Sequence, residues 1–130
     1  MKQQRIITFT LVFTLAALMV ACGGGGNSTP TAAYKTAYDA MKNKDIAALK
    51  KVMPKKVLTE AETEAKKENK SLDDVLKQMM STSDSKLPKA AESKDEKIDG
   101  DKATLQIKNE KDEWETVNFV KEDDGWKLAG

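Results

Sequence analysis

Lys102-Ala103-Thr104-Leu105-Gln106-Ile107-Lys108 decides the fold, because Ala103, Leu105 and Ile107 alternate strictly with polar residues. A period of two over that length is a strand with one dry and one wet face. Glu113–Lys121 carries Val117 and Phe119 at the same spacing, and Trp126 and Leu128 close a last short strand. Turn chemistry separates these runs: Asp99-Gly100, Asn109–Asp112 and Asp124-Gly125. A register that pairs Leu105 with Val117 and Phe119 with Leu128 gathers the large apolar residues on one face, all but Trp114 and Val120. Such a sheet needs a second layer over its apolar face.

The preceding sequence supplies that layer. Thr29-Pro30 is a capping residue followed by proline at the first helical position. Tyr34, Ala37, Tyr38 and Met41 then recur at helical spacing. Asn43 suits a left-handed helix end, Asp45 caps a short helix bearing Ile46, Ala48, Leu49 and Val52, and Pro54 stops it. Lys55–Lys70 is helix-prone, with Val57, Leu58, Ala61 and Ala65 on one face and a Glu62–Lys66 pair in the favourable orientation. Ser71 caps a further helix with an apolar face of Leu72, Val75, Leu76, Met79 and Met80, and Ser81–Pro88 reads as a loop. Lys89–Ile98 should open the sheet, yet only Ala90, Ala91 and Ile98 are apolar there. It reads either as an edge strand protected by charge or as a partly disordered stretch. The class is α+β: N-terminal helices packed on a C-terminal antiparallel meander of three to four strands.

The N-terminus has a different character. Met1–Arg5 is basic, and Ile6–Ala21 is uncharged and rich in Leu, Val, Ile and Phe, the order of a secretory signal. As a helix its roughly 16 residues would reach about 24 Å, short of the roughly 30 Å hydrocarbon core. Leu18-Met19-Val20-Ala21-Cys22 resembles the lipobox of bacterial lipoproteins. That resemblance implies cleavage before Cys22 and acylation of its sulfur; two or more chains are what stable anchoring requires. A plain signal with an incidental cysteine, or a short uncleaved membrane helix, would also fit residues 1–21. Gly23–Gly26 with Asn27, Ser28 and Thr29 argues against both, because it reads as a flexible polar tether. The expected organisation is a signal peptide over 1–21, lipidated Cys22 and tether over 22–30, and one small domain over 31–130.

The 130-residue chain has 22 basic and 21 acidic side chains, and Lys2 and Arg5 are the only charged residues before Cys22. The remainder therefore holds 20 basic and 21 acidic groups, close to neutral, which argues against nucleic acid as a partner. Cys22 is the only cysteine and histidine is absent. That removes an internal disulfide, the commonest general base and the commonest metal ligand. No cofactor, metal or catalytic residue is expected.

Tyr34–Asp45, a helix ending in a lysine-rich corner with aspartate opening the next helix, and Val117–Leu128, with its Gly125-Trp126-Lys127 ending, carry a second resemblance. The layout is similar to the small exported domains of the nuclear transport factor 2-like, or cystatin-like, superfamily. Within it the chain resembles bacterial lipoproteins of unknown function with a lumazine-binding-like domain. Here Gly125 adjoins Trp126 directly, a one-residue departure from the family's Gly-x-Trp-Lys. The resemblance implies a curved antiparallel sheet wrapped around helices, often around a conical cavity.

Three side chains stand out as pocket or interface candidates. Tyr34 and Tyr38 lie on the inward face of the first helix, as packing residues or as the lining of a cavity. Trp114 falls on the polar sheet face, either as an exposed recognition residue or as a core residue in a different register. Met41, Met53, Met79 and Met80 could form an adaptable groove or simply fill core. Asp39 is the one carboxylate flanked by aromatic-face residues, but it points about 100° away from Tyr38. The expected function is that of a membrane-anchored envelope lipoprotein acting as a non-enzymatic binding or accessory module. Its partners would be membrane lipid through Cys22 and an envelope protein. In a host with two membranes Gly23, in place of a retention aspartate, implies the periplasmic face of the outer membrane. The competing reading is a small-molecule carrier, hydrolase or isomerase using a cystatin-like cavity.

Overall fold

The computed structural model describes residues 26–130, so Cys22 and the export signal lie outside the described residues. Four helices precede a four-stranded antiparallel sheet: α1 (Pro30–Asn43), α2 (Ile46–Val52), α3 (Lys55–Lys67), α4 (Leu72–Ser83), β1 (Ser93–Asp99), β2 (Lys102–Lys108), β3 (Trp114–Glu122) and β4 (Gly125–Leu128). The strands are ordered β1-β2-β3-β4, an open meander.

Helix boundaries follow local chemistry. The Thr29 side chain accepts the Ala32 N–H, and Pro30 occupies the first turn of α1. At the other end the left-handed residue is Lys44 (φ 57°), one place later than the expected Asn43. The reason is the corner itself. Asp45 N–H bonds back to Ala40 C=O (2.8 Å) while the Asp45 carboxylate caps α2 through Ala48 N–H (3.0 Å). One residue closes α1 and opens α2, so the left-handed position must immediately precede it. A similar closure ends α3, where Lys70 N–H reaches Ala65 C=O and Asn69 is left-handed. The start of α3 has no side-chain cap of its own; the Glu122 carboxylate of β3 accepts Lys55 N–H with both oxygens (2.9 and 3.2 Å).

Two expectations about the helices need correction. The expected loop from Ser81 to Pro88 is helical through Ser83 and continues as a short 3₁₀ turn, Asp84–Lys86. Ser81 and Thr82 satisfy their hydroxyls on the carbonyls four residues back, so they do not compete with the helix. Val57 is 39% exposed, because only Leu58, Ala61 and Ala65 share the inward face of α3.

In the sheet, Leu105 pairs with Val117 and Phe119 with Leu128, the register expected from the alternation. Lys89–Ile98 resolves as an edge strand that starts at Ser93, is almost wholly exposed, and is broken by a bulge between Lys94 and Lys97 with Asp95 at φ 53°. The apolar face is covered by α1 and α2. Ala33, Ala37 and Ala40 of α1 are buried against Leu105, Phe119 and Trp126, with Tyr34, Leu49, Val52, Met80 and Ala103 completing the cluster.

The expected tether is built into the domain from Gly26 onward. Trp126 N–H donates to Asn27 C=O (2.8 Å), Thr36 Oγ1 donates to Gly26 C=O (2.7 Å), and Asn27 Nδ2 donates to Lys51 C=O (3.2 Å). Asn27 also sits where a side chain on Gly125 would have to go, and Gly125 itself is at φ 127°. Residues 26 and 27 of the expected tether are therefore hydrogen-bonded to α1, α2 and β4.

Truncating Phe119 or Trp126 to alanine should cost about 3–5 kcal/mol and Leu105→Ala about 2–5 kcal/mol. Thr104→Ala, on the opposite face of the same strand, should cost well under about 1 kcal/mol. Chemical-denaturant melts of the four variants check this. Equal losses at Leu105 and Thr104 would refute the face assignment.

Candidate functional site

Between α1, the Leu87–Pro88 segment and the β2–β3 end of the sheet lies a cleft of about 210 Å³. Its walls are apolar: Tyr34, Ala37, Tyr38, Met41, Ile107 and Leu128. Its rim is charged, with Lys86, Lys108, Glu110 and Glu115. Tyr34 and Tyr38 come together here, one helical turn apart, as their spacing requires.

The two hydroxyls are not equivalent. Tyr38 Oη donates to Pro88 C=O at 3.0 Å, which ties the covering segment to α1. Tyr34 Oη is fully buried and has no hydrogen-bond partner among the described residues. An unpaired buried hydroxyl costs roughly 1–3 kcal/mol. Burial pushes its pKa up first, and the fields of Tyr38, Glu115 and Glu92 add to the shift.

Trp114 lies elsewhere, on the outer sheet face, and is 41% exposed. Lys94 Nζ stands 4.1 Å from its ring centroid and Lys108 Nζ 5.7 Å. Its sheet neighbours on that face are Lys108, Gln106 and Thr116, so the ring is an isolated aromatic among polar groups. Lys108 is held by Glu92 at 2.9 Å, which raises the lysine's pKa. Toward the other end of this face is a broad open groove of about 490 Å³ between Lys97, Asp99, Lys102, Thr104, Asn118 and Val120.

The remaining sequence candidates disperse. Asp39 is exposed in a shallow groove between α1 and α2, with Thr36, Asn43 and Asp45 beside it, and does not face the tyrosines. Met80 is buried, Met41 and Met53 pack at the core edge, and Met79 is exposed, so the methionines form no common groove. Among the described residues no group of three or more acidic or thiol side chains could hold a metal ion, and no helix is long and apolar enough to cross a membrane.

One buried group has no counterpart in the sequence reading. Lys127 is 2% exposed, and its ammonium donates to Lys51 C=O and to Asp124 (2.8 Å). That hydrogen bond holds the Asp124 carboxyl below its usual range. Lys127 lies between the core residues Trp126 and Leu128 of β4, and nothing in the local sequence shows that the end of α2 will cover it.

Comparison with protein-family models, with curated proteins and with solved structures finds no match for this chain.

The two tyrosines should separate in mutational tests. Tyr38→Phe should cost about 0.5–1.5 kcal/mol through loss of the Pro88 bond, whereas Tyr34→Phe should be neutral or stabilising by up to about 1 kcal/mol. The raised Tyr34 pKa favours the neutral hydroxyl in the fold. Its contribution is therefore complete below the unfolded tyrosine pKa and lost as pH climbs above about 10. Denaturant melts from pH 8 to 11 should show a shallower alkaline decline for Tyr34→Phe than for the wild type. Parallel declines would contradict the burial of this hydroxyl.

Proposed function

We propose that this protein is a bacterial envelope lipoprotein, anchored by acylated Cys22, whose domain serves as a non-enzymatic binding or accessory module. The observation that carries the reading is the order Leu18-Met19-Val20-Ala21-Cys22 at the end of an export signal, with Gly26, four residues later, hydrogen-bonded to α1 of the domain. On this reading the lipid is the first partner and an envelope protein the second, with Trp114 the exposed aromatic available for recognition. A cystatin-like identity is part of the same proposal. Helices followed by an antiparallel meander, with a tyrosine-lined cleft under α1, support it.

A second reading, a small-molecule carrier or a small hydrolase or isomerase, draws on one specific observation, the unpartnered Tyr34 hydroxyl in the cleft wall. The cleft of about 210 Å³ falls below the roughly 300 Å³ of ordinary ligand pockets. Its carboxylates, Glu110 and Glu115, are exposed at the rim, where they lack the burial that tunes a general base. Binding is therefore the better supported use of the site.

Cys22→Ser should abolish incorporation of labelled palmitate and release the domain from the membrane fraction, since no other thiol exists to be acylated. Metabolic labelling of both proteins decides it. Label in the Cys22→Ser variant, or none in the wild type, would overturn the lipoprotein reading.

A further inference from the structure

We infer that the α2–α3 corner, from Lys51 to Val57, is seated on the phospholipid headgroup layer that holds the anchor, an inference that rests on the lipoprotein reading above. Gly26 is not a free link in a tether. Its carbonyl is bonded to Thr36 of α1, and the next residue is bonded to β4 and to the end of α2. Four Cα–Cα steps separate it from Cys22, so covalent geometry keeps Gly26 within about 15 Å of the acylated residue. Headgroups take up roughly 5–8 Å of that distance, the difference between the hydrocarbon core and the full bilayer. What is left, roughly 7–10 Å, keeps the domain surface around exposed Gly26 next to the headgroups.

The surface beside Gly26 is suited to that contact. Asn27 hydrogen-bonds the Lys51 carbonyl at the end of α2, and the chain continues through half-buried Met53 into the first turn of α3, with Lys55, Lys56 and Val57 exposed. Most acidic groups nearby are already engaged. Asp73 takes Lys50, Asp124 takes Lys127, and Glu122 caps the α3 backbone. Glu60 holds Lys56 only loosely, at 3.9 Å. Among the described residues neither Lys51 nor Lys55 is ion-paired, and Asp123 is the acidic side chain of the neighbouring turn that stays exposed without a partner. Exposed ammonium groups interleaved with Met53 and Val57 match an interface in which phosphates lie above the first methylenes. This seating also turns the Tyr34–Tyr38 cleft away from lipid. Asn109 and Glu110 on its rim lie in the β2–β3 turn and Glu115 near the start of β3, at the opposite end of that nine-residue strand from the β3–β4 turn, roughly 25–30 Å away.

The test uses the full-length lipidated chain in phospholipid vesicles carrying a headgroup nitroxide quencher. Lys55→Cys and Lys111→Cys each supply one free thiol, both at exposed positions, for an environment-sensitive fluorophore. Emission at position 55 should fall to less than half of its value in quencher-free vesicles, while emission at position 111 stays unchanged. Equal quenching at the two sites, weak or strong, overturns the seating. The acyl mass on Cys22 and flotation with the vesicles are read from the same samples; their absence would instead overturn the lipoprotein reading.

Discussion

The close approach of α1 to the sheet sets the rest of the architecture. Ala33, Ala37 and Ala40 form a stripe of small side chains that lets the helix backbone come near β2 and β4. The bulk of the core therefore comes from the other layer, from Leu105, Phe119 and Trp126. In a chain with few aromatics, this division of volume lets a small core reach protein-like packing density. It also leaves the larger residues of α1, Tyr34 within the core cluster and Tyr38 buried beside it, at the cleft end of the contact. There they border the cleft and do not fill it.

Charge contributes little to holding this together. The ion pairs of α3, Glu62–Lys66 and Glu64–Lys67 among them, are exposed pairs of the kind worth at most about 1 kcal/mol each. Lys127 is the exception, because its ammonium is enclosed between the end of α2 and Asp124. Placing a cation on the last carbonyls of a helix favours the helix dipole. It fastens α2 to the sheet at the edge where Asn27 also joins, so three chain segments converge on the Lys51 carbonyl.

How far the sequence could be read depended on whether the information was local. Strand alternation in Ala103–Ile107 and the caps at Thr29, Asp45 and Ser71 are properties of a few adjacent residues, and all were legible. The Tyr34–Tyr38 pairing was also legible, because helical spacing dictates it. Illegible features were those in which distant segments meet. Glu122 capping α3, Asn27 joining β4 and the enclosure of Lys127 each link residues whose neighbours in sequence give no signal. The orphaned Tyr34 hydroxyl belongs with them, since a missing partner can be seen only once every nearby group has a place.

The two margins of the sheet have a bearing on molecules crowded into two dimensions. Under the lipid anchorage proposed above, identical copies on a bilayer would meet repeatedly in similar orientations, conditions that favour strand-to-strand polymerisation. At one margin the N-H of Trp126 is already occupied by Asn27. At the other, Lys94, Asp95, Glu96 and Lys97 present charges of both signs on a strand kinked by a bulge, a poor template for a neighbour's backbone. A fibril would have to strip off the first or iron out the second, so a dense lawn of these molecules should remain a population of separate units.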